Sequence, residues 1–98
     1  MDIVFADQNL GLVETEDAGL TKLPVPVIKS VRRKLTLIRA APDDRALRNW
    51  KSLHYEKLKG DRDGQRSVRV NEKYRIVFVL NEDTKSPTVT IVAIEDYH

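Results

Sequence analysis

The sequence contains no cysteine, so disulfide bonds and cysteine-ligated zinc or iron–sulfur sites are excluded. With only two histidines it also offers few nitrogen ligands, and we expect neither a metal site nor a cofactor. It has no apolar run of about 18 residues, the length that marks a membrane-spanning helix. Its first residues do not resemble a signal peptide. We therefore expect a cytoplasmic protein that does not enter a membrane.

The composition indicates a folded, highly soluble chain. Of its 98 residues, 41% are hydrophobic and 33% are charged, which is too apolar for a disordered chain. A chain of this length has room for one small core. We expect a single domain over residues 1–98.

Charge is distributed unevenly along the chain, although the net charge is only +2. Residues 1–20 hold five acids and no lysine or arginine, whereas residues 29–75 hold most of the cations. A basic stretch of this density suits a polyanion such as nucleic acid, but it also suits an ordinary solvated surface. The basic residues of this stretch are Lys29, Arg32, Arg33, Lys34, Arg39, Arg45, Arg48, Lys51, Lys57, Lys59, Arg62, Arg66, Arg69, Lys73 and Arg75.

Helical patterns lie in the first half of the chain. Asp7 is placed to cap a short helix through residues 10–13. A longer helix is predicted to begin at Pro24 or Pro26, because proline is tolerated in a first turn, and to end before Pro42. Asp43 or Asp44 is predicted to cap a short turn after that proline. The apolar residues that repeat at helical spacing in the longer helix are Val27, Ile28, Val31, Leu35 and Ile38.

Extended patterns dominate the second half. Strands are predicted at residues 54–58, 66–70, 74–80 and 88–94, and the apolar run 3–5 could open the sheet. The glycine-bounded segment 60–64 and the polar segment 71–73 are typical of turns. Helices followed by an antiparallel meander predict an α+β fold.

Strand alternation assigns the polar side chains to faces. In the predicted strand 54–58, His54 and Glu56 share one face. In the strand from residue 74, Arg75 is expected on the side of Val77 and Val79, away from the core. An arginine among apolar residues on a sheet surface tends to have a planar anion as its partner, either a carboxylate or a phosphate.

Titratable residues cluster directly after the last predicted strand, in the run Glu95-Asp96-Tyr97-His98. Metal-free cleavage of RNA needs a base for the 2′-hydroxyl, an acid for the departing 5′-oxygen and fixed cations for the phosphate. The candidates are Glu56, Asp96 or His98 as the base, Tyr97 or His98 as the acid, and Arg75 with Lys59 as the cations.

Four motifs in register resemble the HigB branch of the RelE/ParE toxin superfamily. They are Leu-His-Tyr-Glu-Lys-Leu-Lys-Gly-Asp-Arg at 53–62, Arg-Ser-Val-Arg-Val-Asn at 66–71, Tyr-Arg-Ile-Val-Phe at 74–78 and Glu-Asp-Tyr-His at 95–98. Order and spacing match over roughly residues 24–98, and the first twenty residues match only weakly.

The resemblance implies a compact toxin of the RelE-like α+β class, with two N-terminal helices packed on a twisted, mainly antiparallel sheet. It implies an endoribonuclease that cuts mRNA in the decoding site of the 70S ribosome without a metal. It also implies a HigA-like antitoxin with a helix-turn-helix, which neutralises the toxin and represses the operon. Operator DNA would then be met only through the antitoxin.

The resemblance also implies roles for individual residues. Arg75 matches the family's phosphate-contacting arginine, and Asp96, Tyr97 and His98 match its catalytic terminus. Lys59 matches a basic residue after a leucine, and Lys57, Arg62 and Arg69 join it as expected contacts to RNA phosphates.

One position departs from part of the family. Some members place the active histidine two residues before Leu58, where this chain has Glu56. His54 lies two residues earlier, and on a shared strand face it would stand about 6–7 Å from that position. Glu56 and His54 are therefore rival candidates for the same role.

Two other functions fit the same fold. One is a toxin that blocks a protein target such as DNA gyrase, as the ParE branch does. The other is a weakly active toxin that acts mainly within an antitoxin and operator complex.

Overall fold

Five strands form one sheet in the computed structural model, which describes residues 1–83 and 86–96. The strands are β1 (Asp2–Phe5), β2 (Glu56–Lys57), β3 (Gln65–Arg69), β4 (Tyr74–Asn81) and β5 (Thr88–Asp96). Their spatial order is β1-β5-β4-β3-β2, in which β1 runs parallel to β5 and the other neighbouring pairs are antiparallel. The predicted α+β fold with a mainly antiparallel sheet is confirmed.

Three α-helices precede the second strand, and their ends follow the capping signals in the sequence. They are α1 (Gln8–Gly11), α2 (Val25–Ala40) and α3 (Asp44–Asn49). Asp7 accepts a hydrogen bond from the backbone of Asn9, and Asp43 accepts one from Ala46, as N-cap carboxylates do. The long helix begins after Pro24 and ends before Pro42, which confirms both predicted boundaries. In the described part of the chain, no helix is both long and apolar enough to cross a membrane.

The core lies between α2 and one face of the sheet. The buried side of α2 packs with the buried residues of β3, β4 and β5 in one hydrophobic cluster. Phe78, at the centre of β4, is fully buried there, and the Tyr55 ring meets it edge to face with centroids 6.1 Å apart. The opposite face of the sheet, which we call the open face, carries Ser67, Arg75 and Val79 because strand side chains alternate.

The acidic N-terminal segment binds to the basic helix. Arg32 donates from Nε to the Val13 carbonyl at 2.7 Å and from Nη2 to the Thr15 carbonyl at 2.8 Å. Arg39 makes a two-pronged ion pair with Glu14. The two charge blocks seen in the sequence therefore partly neutralise each other, and α2 presents fewer cations to a partner than the sequence suggests.

Candidate active site

A cleft of about 280 Å³ lies on the open face, between β3, β4, β5 and the loop that follows β2. Its walls combine two arginines, two carboxylates, a serine hydroxyl and two apolar side chains. The residues that line it are Leu58, Arg62, Ser67, Arg75, Val77, Glu95 and Asp96.

Arg75 is the fixed centre of this cleft. Its residue is only 8% exposed, and its Nε donates to the Ser67 hydroxyl at 2.8 Å. Its Nη2 donates to the backbone carbonyl of His54 at 2.5 Å. A guanidinium held at two nitrogens has a defined orientation, which suits it to bind a planar or tetrahedral anion. The prediction that Arg75 shares a face with Val77 is confirmed, since both line the cleft.

Glu56 provides a carboxylate beside that guanidinium. Its Oε2 lies 3.5 Å from Nη2 of Arg75, and its side chain is 47% exposed. It stands opposite Ser67 in the pairing of β2 with β3, which directs its side chain to the open face. A half-exposed carboxylate beside a fixed cation has the position that a proton acceptor needs next to a phosphate site.

The predicted strand 54–58 is wrong at its beginning. Residues Lys51–Leu53 form a 3₁₀ turn that buries Leu53, and the strand contains only Glu56–Lys57. His54 closes the turn with a left-handed backbone, at φ 46° and ψ 54°. It therefore does not share a strand face with Glu56, and its ring lies at Arg69, with Nε2 3.3 Å from Nη1.

The catalytic terminus expected from the sequence is described only in part. Asp96 ends β5 opposite Tyr74 and lines the cleft with Arg75. Tyr97 and His98 lie outside the described residues. Within residues 1–83 and 86–96, no group of three or more histidine, aspartate or glutamate side chains is arranged to hold a metal ion.

A known protein family matches nearly the whole chain. A sequence profile described as "RelE-like toxin of type II toxin-antitoxin system HigB" matches residues 4–95. The chain belongs to the HigB-like toxin family. Toxin HigB-1 of Vibrio cholerae serotype O1 is 31% identical over 78 residues, which cover 80% of this HigB-like toxin and 82% of its relative.

Solved structures of related toxins share the fold of this HigB-like toxin. The YoeB/ParE toxin from Agrobacterium tumefaciens superposes with a TM-score of 0.65 at 16% identity, over all of both chains. A chain of the heterotetrameric YoeB-YefM toxin-antitoxin complex from Staphylococcus aureus gives a TM-score of 0.62 at 21% identity, over 100% of this chain and 97% of that one. The predicted RelE-like fold is confirmed.

The basic residues predicted to contact RNA are not all on one surface of this HigB-like toxin. Arg62 lines the cleft, and Arg69 stands opposite Arg75 in the pairing of β3 with β4. Lys57 follows Glu56 in the same strand, so its side chain points to the other face of the sheet. Lys59 is exposed and immediately precedes the 3₁₀ turn Gly60–Arg62.

Two polar residues of the cleft were not among the site residues predicted from the sequence. Ser67 is 1% exposed and its hydroxyl holds Arg75, while Glu95 forms an ion pair with Arg62 at 2.6 Å between Oε1 and Nη1. A signal for Ser67 was present, because alternation in β3 places it on the face of Arg69. No sequence pattern indicated that Glu95 pairs with Arg62, because this contact depends on how the loop before β3 folds.

Proposed function

We propose that this HigB-like toxin is a ribosome-dependent endoribonuclease that cleaves mRNA with its own side chains as acid and base. The observation that carries the proposal is the pairing at the cleft of a doubly held Arg75 with the Glu56 carboxylate at 3.5 Å. A fixed cation for a phosphate and a proton acceptor next to it are two of the three parts that the reaction needs.

In the proposed reaction, Glu56 removes the proton from a ribose 2′-hydroxyl, and the 2′-oxygen attacks the adjacent phosphorus. The bond from phosphorus to the 5′-oxygen breaks, which leaves a 2′,3′-cyclic phosphate. The terminal motif Asp96-Tyr97-His98 supplies the proton that the 5′-oxygen takes up, so the second product has a 5′-hydroxyl. No metal takes part in this scheme.

Arg75 stabilises the charge that grows on the phosphate oxygens in this scheme. His54 contributes its backbone carbonyl, which orients Arg75, and not its imidazole as a base. Lys57, Lys59, Arg62 and Arg69 contribute to the affinity for RNA phosphates, and this affinity should fall as salt rises. The ribosome positions the mRNA, because so small a domain has little surface with which to hold a single strand.

The same proposal includes an antitoxin. A solved relative is named as a toxin–antitoxin heterotetramer, and the family is that of type II toxin–antitoxin systems. We expect a HigA-like partner with a helix-turn-helix that neutralises this chain and carries it to operator DNA.

The test is transcript-end mapping after a brief pulse of the wild-type chain in cells without the antitoxin, beside Glu56→Gln and Arg75→Lys. Wild type should create new 5′-hydroxyl ends within translated frames. Glu56→Gln removes the base and Arg75→Lys removes the two-pronged guanidinium, and each should reduce cleavage by about 100-fold or more. His98→Ala tests the terminal motif in the same way.

Glu72→Gln is the matched control, since it removes one exposed carboxylate in the turn between β3 and β4. It should cleave like wild type. Full cleavage by both Glu56→Gln and Arg75→Lys at equal expression would rule out this site. Unchanged transcripts with arrested growth would point to a protein target such as DNA gyrase.

A further inference from the structure

Arg62 and Glu95 both line the cleft and form an ion pair with each other. Nη1 of Arg62 lies 2.6 Å from Oε1 of Glu95, and their side chains are 43% and 39% exposed. Both residues line the cleft that contains Arg75 and Ser67. The ion pair therefore lies in the wall of the cleft that we propose as the RNA phosphate site.

The charge of the cleft makes this pair important. Among the described lining residues, two arginines (62 and 75) are balanced by two carboxylates (95 and 96), and Glu56 adds a third carboxylate at the edge. The described cleft thus offers no excess of positive charge to a polyanion. A phosphate is attracted to the cleft more strongly when one of these carboxylates no longer pairs with its arginine.

Arg62 belongs to a loop that is exposed along its whole length, Gly60 to Gly64. The glycines at its two ends have left-handed backbones, with φ +70° and φ +91°. A Cβ at either position would meet no atom within 4 Å, so the backbone conformation and not crowding requires glycine there. Besides Glu95, the Arg62 guanidinium contacts Gln65, with Nε 3.3 Å from Oε1.

We infer that Glu95 is a built-in competitor of the RNA phosphate for Arg62. In the free toxin Glu95 occupies the anion position beside Arg62, and in the complex the phosphate takes that position. Ion pairs between half-exposed side chains are weak, so the exchange is readily reversible. This inference rests on the proposed function, because it takes the substrate to be RNA.

The first test measures initial rates of mRNA cleavage on programmed ribosomes against toxin concentration. Glu95→Gln keeps the size of the side chain and removes its charge. It should lower the half-saturating concentration roughly twofold to fivefold, the range that an exposed ion pair supplies, without changing the maximal rate. Asp61→Asn is the matched control, since it removes one charge from the same loop at a residue that does not line the cleft.

A double-mutant cycle then separates competition for Arg62 from a general charge effect. In an Arg62→Gln background, Glu95→Gln should produce no gain, because the cation for which Glu95 competes is gone. An equal gain in both backgrounds, or a gain of the same size from Asp61→Asn, would overturn the inference.

A binding experiment keeps this inference separate from the proposed function. Inorganic phosphate is titrated into the ¹⁵N-labelled chain while the side-chain Nε–H resonance of Arg62 is followed by NMR. Phosphate should bind more tightly in Glu95→Gln than in wild type, even if wild type cleaves no mRNA on the ribosome. Equal phosphate affinity at Arg62 in the two proteins would overturn the inference, whatever the cleavage assay shows.

Discussion

Consecutive residues of β3 point to opposite faces of the sheet. Each face therefore carries its own polar cluster, and the two clusters are built differently. On the helix-covered side, Arg66 reaches Asp44, whose carboxylate also lies near Arg48 and Tyr55, at 3.3–3.6 Å. On the open face, Ser67 holds Arg75. The first cluster has an anion at its centre and the second has a cation.

The centre and its surroundings decide what each cluster can do. The Asp44 side chain is 15% exposed and lies beside Arg48 of α3, Arg66 of β3 and the Tyr55 hydroxyl from the segment before β2, so it fastens α3 to β3. Arg75 is oriented by the neutral oxygens of Ser67 and His54, and it also pairs with the half-exposed Glu56 carboxylate at 3.5 Å. We therefore expect changes on the covered side to reduce stability and changes on the open face to reduce activity.

The largest expected effect contrasts two adjacent residues of β4. Phe78→Ala opens a cavity in the core and should lower the free energy of unfolding by about 3–5 kcal/mol, a large part of a small domain's stability. Val77→Ala lies on the open face and should cost about 2 kcal/mol or less, since it removes a smaller buried group. Urea denaturation measures both, and equal losses would mean that the two faces contribute equally to the core.

The next largest effect tests only the cluster around Asp44 on the helix-covered side, which we call the covered cluster. Asp44→Asn removes the charge that Arg66 and Arg48 share and should lower the free energy of unfolding by about 1 kcal/mol, with mRNA cleavage retained. Asp43→Asn is the control, because asparagine also serves as an N-cap and this residue caps α3. A loss of cleavage in folded Asp44→Asn would show that the two clusters are coupled.

Much of the fold could be predicted because its signals are local. The spacing of apolar residues from Val27 to Ile38 and the prolines at 24 and 42 located α2. Alternation in β4 placed Arg75 opposite Ile76 and on the side of Val77, which the buried core and the cleft confirm. Each of these features is specified by residues that lie close to it in the sequence.

The remaining features depend on contacts between distant residues. A run of strand-forming residues around Tyr55 predicted a strand from His54, but burial of Leu53 in a 3₁₀ turn shortened it. The parallel pairing of β1 with β5 and the ion pair of Arg62 with Glu95 join segments whose approach no local pattern specifies. The site was therefore predictable as a set of residue types, and its geometry was not.

The smallest expected effect concerns pH and again separates the two clusters. Burial raises the pKa of Tyr55 above its ordinary value of 10.0, with Asp44 adding to the rise and Arg66 opposing it. The folded state therefore holds this proton more tightly than the unfolded state does. The stability that this provides is fully present below about pH 10 and is lost as the pH rises through the folded-state pKa.

Tyr55→Phe should remove that alkaline loss while changing stability near neutral pH by only about 1 kcal/mol, since the hydroxyl makes one 3.3 Å hydrogen bond to Asp44. Urea denaturation of both proteins on either side of about pH 10, with tyrosinate absorbance followed in parallel, gives the comparison. Wild type should lose more stability than Tyr55→Phe only in the alkaline range. A parallel decline in the two proteins would mean that the Tyr55 hydroxyl is not stabilised by its position between Asp44 and the core. In the covered cluster, Asp44 would then be stabilised by the arginines alone.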